Sequence, residues 1–193
     1  MSTPSQLSLF ETPAAHDPGG KVRTRLPPDV NGDAIFSPCG RYRMRLRRWQ
    51  GEQFPALHML WIGMNPSTAD AAVNDPTIGR EWEFTMREGY KGLVKVNIAD
   101  YRATEPKALL QPGVVPCSPE NLPLIVEAAS VASLVVICHG KLNRALTAAG
   151  AATVAALEAA GVPLYCMGTN ADGSPRHPLY LSKHAQFVRY RRP

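Results

Sequence analysis

The sequence predicts an α/β protein: a three-layer α/β/α sandwich around a mainly parallel, four-stranded central sheet, preceded by a β-hairpin. Three observations predict it. Four short apolar runs carry no polar alternation, the pattern of strands buried on both faces. Between them lie longer stretches with helix caps and good helix formers, so strand and helix alternate along the chain. The apolar content, 45% of 193 residues, is enough for one domain with a layered core.

The elements follow in order. Residues 1–32 are rich in Pro, Ser, Thr, Gly and Asp without sustained periodicity and read as a disordered tail, so that the domain comprises residues 33–193. Ser37-Pro38-Cys39-Gly40 reads as a turn between 34–36 and a strand at 41–49, giving the hairpin. The apolar run 57–62 ends in Gly63 and reads as the first buried parallel strand. Asp75-Pro76 reads as N-cap and first residue of a helix reaching about residue 88, closed by Gly89-Tyr90-Lys91-Gly92. A strand at 93–98 follows, then a Pro-punctuated connection with a helical turn near 106–110 and a helix at 119–129. Residues 134–138 read as a third central strand, the Ala-rich stretch 145–160 as a helix ending at Gly161, and 162–167 as a fourth strand.

Net charge is +5 with a pI near 9.2, which favours a polyanionic partner. Arg41, Arg43, Arg45 and Arg47 alternate with Tyr42, Met44 and Leu46. On an extended strand the four would share one face about 6.6 Å apart, either a ladder that tracks a phosphate backbone or the charged protection of an exposed strand. Cys39, Cys117, Cys138 and Cys166 show no metal-ligand spacing, and Cys138 and Cys166 fall in apolar runs as buried thiols. No stretch reaches the length of a membrane span and the polar N-terminus has no apolar signal core. A cytoplasmic, monomeric protein without metal or cofactor is expected.

Three remote segments carry candidate chemistry. Gly63 lets the chain turn sharply after a strand, Met64 follows it, and Pro66 fixes the backbone beyond Asn65. Asn65 is either a presented amide or a turn former; an amide is no general base, but it can orient a water. Asp70 is either a base in this loop or a local turn former, and Asp75 reads as a helix cap rather than a catalyst. Asn97 closes an apolar strand and offers donor and acceptor together; Tyr101 shortly after it is a candidate for stacking on a base. His177 opens the run Pro178-Leu179-Tyr180-Leu181-Ser182, with Arg176, Ser182 and Lys183 as candidate phosphate contacts. His58 and His139 read as packed, neutral histidines. In the tail, Gln6-Leu7-Ser8-Leu9-Phe10 is an apolar island, suited either to docking in a partner's groove or to stapling onto the domain.

Together the three segments resemble the uracil-DNA glycosylase superfamily, most closely its mismatch-specific and single-strand-selective branches. The resemblance implies that Asn65 positions water, Asn97 reads an extruded base with Gly63 and Met64 beside it, His177 stabilises the departing base, and Leu181 wedges into the duplex. This chain departs from the pattern with Ser67-Thr68-Ala69-Asp70 after Pro66, and with Leu179-Tyr180 where the third motif carries Ser-Pro. The tail island resembles the peptide by which bacterial repair proteins bind the sliding clamp. From about residue 34 onward, segments including Asp75-Pro76-Thr77-Ile78, Tyr101-Arg102-Ala103-Thr104 and Arg176-His177-Pro178 look like the bacterial and phage domain of unknown function 1643.

The expectation is a DNA glycosylase-like hydrolase that flips a modified or damaged base and cleaves its N-glycosidic bond, with DNA and the sliding clamp as partners. Two alternatives stand beside it. One is a non-catalytic module that recognises modified bases; the other is a hydrolase or transferase of free nucleotides.

Overall fold

The computed structural model of the chain describes residues 22–191. In chain order the strands are β1 (Thr24–Arg25), β2 (Asn31–Phe36), β3 (Arg43–Trp49), β4 (Met59–Gly63) and β5 (Val73–Asn74), then, after a helix, β6 (Gly92–Asn97). The later strands are β7 (Leu134–Ile137), β8 (Leu164–Cys166) and β9 (Val188–Arg189). Three helices, α1 (Pro76–Arg87), α2 (Asn121–Val131) and α3 (Thr147–Ala159), separate the central strands, and Pro106–Leu110 and Pro178–Tyr180 form 3-10 turns.

The protein is mixed α/β, built on a seven-stranded sheet in the order β2-β3-β6-β4-β7-β8-β9. Its centre is the expected set of four parallel strands, β6, β4, β7 and β8. The β2–β3 hairpin extends it antiparallel on one side and β9 on the other. The two-residue β1, β5 and β9 are too short to leave a period in the sequence, and went unread for that reason. β1 pairs with β5, Val30 is buried, and β2 starts at Asn31, so the folded chain takes in residues ahead of position 33.

Alternation along the central strands sorts their side chains into two clusters. Leu60 and Ile62 of β4 join Val94, Val96, Val135 and Ile137, with Ile125 of α2 and Val154 and Leu157 of α3. Met59 and Trp61 join Leu46, Leu93 and Val136, with Ile78, Trp82 and Phe84 of α1. α1 starts where the sequence places it: Asp75 accepts a hydrogen bond from the Ile78 amide at 2.9 Å, with Pro76 in the first turn. Phe187, near the C-terminus, packs on Trp61 and Phe84 with ring centroids 5.8 and 6.5 Å away.

The arginine ladder does not form. The β2–β3 register breaks between Ile35, opposite Arg45, and Phe36, opposite Arg43, so Met44 is an extra residue in β3. Such a bulge reverses the alternation beyond it. Arg45 and Arg47 line a hollow with Phe54, His58 and Leu124, and Arg47 pairs with Asp33. Arg43 is thrown to the other face, where it is buried; Arg41 precedes the strand and is exposed. Arg48, also buried, lies on the side of Arg43 and holds the loop after β4 through the carbonyls of Asp70 and Val73.

Candidate functional site

From β4 the chain crosses to β6 on one side and later to β7 on the other. That reversal opens a crevice at the carboxyl ends of the strands, where open parallel sheets bind ligands. A hollow of about 400 Å³ lies there, within the usual range of small-molecule sites. Gly63, Met64 and Asn65 line it from the end of β4, Lys95 and Asn97 from β6, His139 and Gly140 from beyond β7, and His177, Leu179 and Tyr180 from the C-terminal loop. Three remote segments of the chain thus meet at one site, as the sequence suggests.

Gly63 makes the space. It pairs with Asn97 on the neighbouring strand, and a Cβ at this position would stand 2.5 Å from Lys95 Nζ and 2.9 Å from Asn97 Oδ1. Lys95 and Asn97, two residues apart on β6, project to the same side, towards α1. Asn97 is 2% exposed and neither its Oδ1 nor its Nδ2 has a hydrogen-bond partner. Its backbone is fixed from behind, since Asn121 Nδ2 donates to its carbonyl at 3.1 Å. A buried amide with both functions unpaired is costly, and a ligand presenting an acceptor beside a donor would satisfy both at once.

Asn65 is half-buried, and its Nδ2 donates to the carbonyls of Ala103 at 2.7 Å and Pro66 at 3.0 Å. Those bonds fix the amide's orientation and leave Oδ1 as its acceptor. His177 Nδ1 accepts from the Leu179 amide, which puts the neutral ring's proton on Nε2. Burial, and then the charge of Lys95, hold the imidazole down at about 4 against the pull of Asp75. At neutral pH it is a neutral ring donor. Its face tilts against Tyr180, with centroids 5.6 Å apart.

Several expected site residues lie elsewhere. Asp70 is not in the lining; its Oδ1 accepts from the amides of Ala72 and Val73, the local turn former of the two readings, so the carboxylate in the wall is instead Asp75. Tyr101 is outside the hollow and packs edge-on against Tyr42 at 5.5 Å. Leu181 does not project as a wedge. It packs on the α1-side core, while Tyr180, 84% exposed, and Leu179 stand at the mouth. Arg176, Ser182 and Lys183 are exposed near the mouth but outside the lining, Ser182 Oγ accepting from the His184 amide. The island at residues 6–10 falls outside the described residues.

The sequence reading passed over the charge beneath the site. Lys95 Nζ contacts Glu81 Oε1 of α1 at 2.5 Å, and Cys138 Sγ lies 3.6 Å from the same oxygen. Burial pushes the Cys138 thiol up, so it stays protonated. A lysine inside an otherwise apolar strand was the available signal, since such a group is buried only when paired. Arg43 also lines the hollow, 2% exposed, and burial pulls it down to about 10. His139 is packed as expected, its Nδ1 2.6 Å from the Gly140 carbonyl, but it reaches the hollow too.

Among the described residues no cluster of three or more His, Cys, Asp or Glu side chains could hold a metal ion, and all four cysteines are free. No helix among them is long and apolar enough to cross a membrane.

Fold and hollow together define a mixed α/β protein with a hollow at its sheet's switch point. The chain belongs to the family described as Protein of unknown function (DUF1643), whose model matches residues 41–179, more than half of its length. That match takes in every lining residue except Tyr180. No curated protein and no solved structure matches the chain.

Proposed function

We propose that this protein is a DNA glycosylase-like hydrolase that takes an extruded, modified or damaged base into the hollow and cleaves its N-glycosidic bond. The observation that carries the reading is Asn97, whose buried donor and acceptor are both unpaired in a hollow shared with Asn65 and His177. One amide engages a carbonyl and an adjacent N–H on a base edge, which is how flipped bases are read. Helices packed against both faces of a parallel centre support the finer reading of the fold, an α/β/α sandwich of glycosylase type.

In this reading Asn65 Oδ1 accepts from a water and aims its oxygen at C1′ of the sugar. The C1′–N bond breaks with its electron pair leaving on the base, the water oxygen bonds to C1′, and a water proton ends on the base. His177 Nε2–H donates to the base oxygen that gains charge, and the Lys95 ammonium sits beneath the same end. Preorganised donors of this kind contribute the largest part of such catalysis. Tyr180, rather than Leu181, is the exposed ring beside the mouth that stacks on neighbouring bases.

A second reading, recognition without cleavage, is favoured by one feature. Asp75 is the single carboxylate in the lining, and its Oδ1 is committed to the α1 cap. Oligonucleotides bearing assorted modified bases separate the two: incubation followed by hot alkali reveals abasic sites. Strand breaks that vanish in Asn97→Ala and His177→Ala support cleavage. Tight, Asn97-dependent binding without breaks supports the reader, and neither result removes the nucleobase assignment.

A further inference from the structure

Two arginines of β3 are buried on the same side of the sheet, and they are served differently. Every nitrogen of the Arg48 guanidinium is engaged: Nε donates to Asn74 Oδ1 at 2.8 Å, Nη1 to the Arg47 carbonyl at 2.8 Å, and Nη2 to the carbonyls of Asp70 and Val73. It is a structural clamp. Arg43 has one such bond, from Nη1 to the Ala69 carbonyl at 2.9 Å, and its Nε is buried without a partner. It also takes part in none of the ion pairs among the described residues. A guanidinium carries five donors in a planar fork, and burying it unpaired is strongly unfavourable. Arg43 sits in the wall of the hollow, so its remaining donors can be satisfied by something bound there.

Two further sources of positive potential share that wall. Lys95 contributes an ammonium from β6, and the first turn of α1 contributes its positive dipole end and the Thr77 amide, since Pro76 has no N–H and the Ile78 amide is taken by Asp75. Glu81, paired with Lys95, and Asp75 in the wall offset part of this charge, which leaves Arg43 as the wall's buried cation without a carboxylate partner; the exposed Lys141 at the rim is itself 3.8 Å from Asp172. Donors arriving from three separate elements fit a group with three outward oxygens better than a planar carboxylate with two.

We propose that Arg43, with Lys95 and the α1 N-terminus, forms a phosphate subsite inside the hollow. The phosphate is that of a nucleotide, either a free mononucleotide or the strand position next to a base held by Asn97. The inference goes beyond base cleavage and holds whether or not a bond is cut.

Calorimetric titration of the full chain with the deoxynucleoside 5′-monophosphates, the matching nucleosides and a short single-stranded oligonucleotide tests it. A phosphate advantage of about tenfold or more in the wild type, abolished in Arg43→Gln and partly kept in Arg43→Lys, supports the subsite with a free nucleotide as its source. An Arg43-dependent loss confined to the oligonucleotide, with the salt slope reduced by about one, supports the strand phosphate. Monophosphates binding no better than nucleosides, together with strand affinity indifferent to Arg43→Gln, overturns the proposal. Should the variants fail to fold, the unaltered protein decides: inorganic phosphate, monophosphate or oligonucleotide raises its Tm above chloride at equal ionic strength, and no rise with any of them overturns the subsite. All readouts are equilibria, so a failure to release bases leaves them untouched.

Discussion

The Leu179 amide donates to Nδ1 of His177 at 3.3 Å, and this backbone contact decides which ring nitrogen faces outward with a proton. A group two residues along the chain therefore sets the polarity of the site. Because the folded-state pKa is about 4 against an ordinary 6.5, the unfolded chain binds a proton here that the folded chain refuses between those limits. Stability from this group is fully present above pH 6.5 and is lost as pH falls towards 4. Thermal unfolding across this window should show a declining Tm, with a flatter decline in His177→Gln. His139, lowered by burial, adds to the slope and remains in that variant.

Asn97→Leu separates stability from function. It replaces two buried, unpaired polar atoms by hydrocarbon of similar shape and should stabilise the chain by about 1–3 kcal/mol in urea titration. Ligand binding should disappear in the same variant. A destabilised Asn97→Leu would mean that the amide has partners within the fold.

Gly63→Ala should lose stability and weaken ligand binding together. The added methyl meets Lys95 Nζ and Asn97 Oδ1, and both are held: the first by Glu81, the second by its strand. Overpacking of this kind costs about 1–3 kcal/mol, and the hollow narrows where Asn97 faces it. Chemical denaturation and ligand titration on the same sample check the two effects.

Glu81→Ala leaves Lys95 buried without its carboxylate. Breaking one side of a buried pair costs about 3–5 kcal/mol, so the midpoint of unfolding should fall well below that of any surface variant. Glu81→Ala with Lys95→Met should recover much of this loss while still lacking the charge beneath the hollow.

Tyr180→Ala should leave Tm unchanged, because the ring is mostly in solvent. Binding to single-stranded oligonucleotides should weaken by about 1–3 kcal/mol, the value of one base–aromatic stack. Leu181→Ala should show the reverse pattern, a loss of stability from the core with little direct effect on binding.

The central strands were legible because burial on both faces writes itself as unbroken apolar runs at β4 and β7, and as a run interrupted by Lys95 alone before Asn97 at β6. The start of α1 was legible because Asp-Pro is a cap with a mechanism. Asn65, Asn97 and His177 could be grouped before any coordinates, since loops after parallel strands converge at one end of the sheet. The arginines were misread for a specific reason: a strict alternation was extended through Met44, and nothing local in Tyr-Arg-Met-Arg announces a bulge. Leu181 was misassigned because the 3-10 turn at Pro178–Tyr180 rotates the residues after it, bringing Tyr180 outward and Leu181 inward. Asp70 depended on two amide contacts that only the folded loop creates.

Phe187 packs edge-on against both rings of the stacked pair Trp61 and Phe84, and that packing holds down the stretch leading back to His177. During synthesis, β4, β6 and α1 can emerge and pair long before this stretch is made. The scaffold thus precedes its own imidazole, and a nascent chain halted ahead of His177 would carry the amide of Asn97 without the ring that shares its hollow. The hollow is therefore complete only once the segment around His177 has been made.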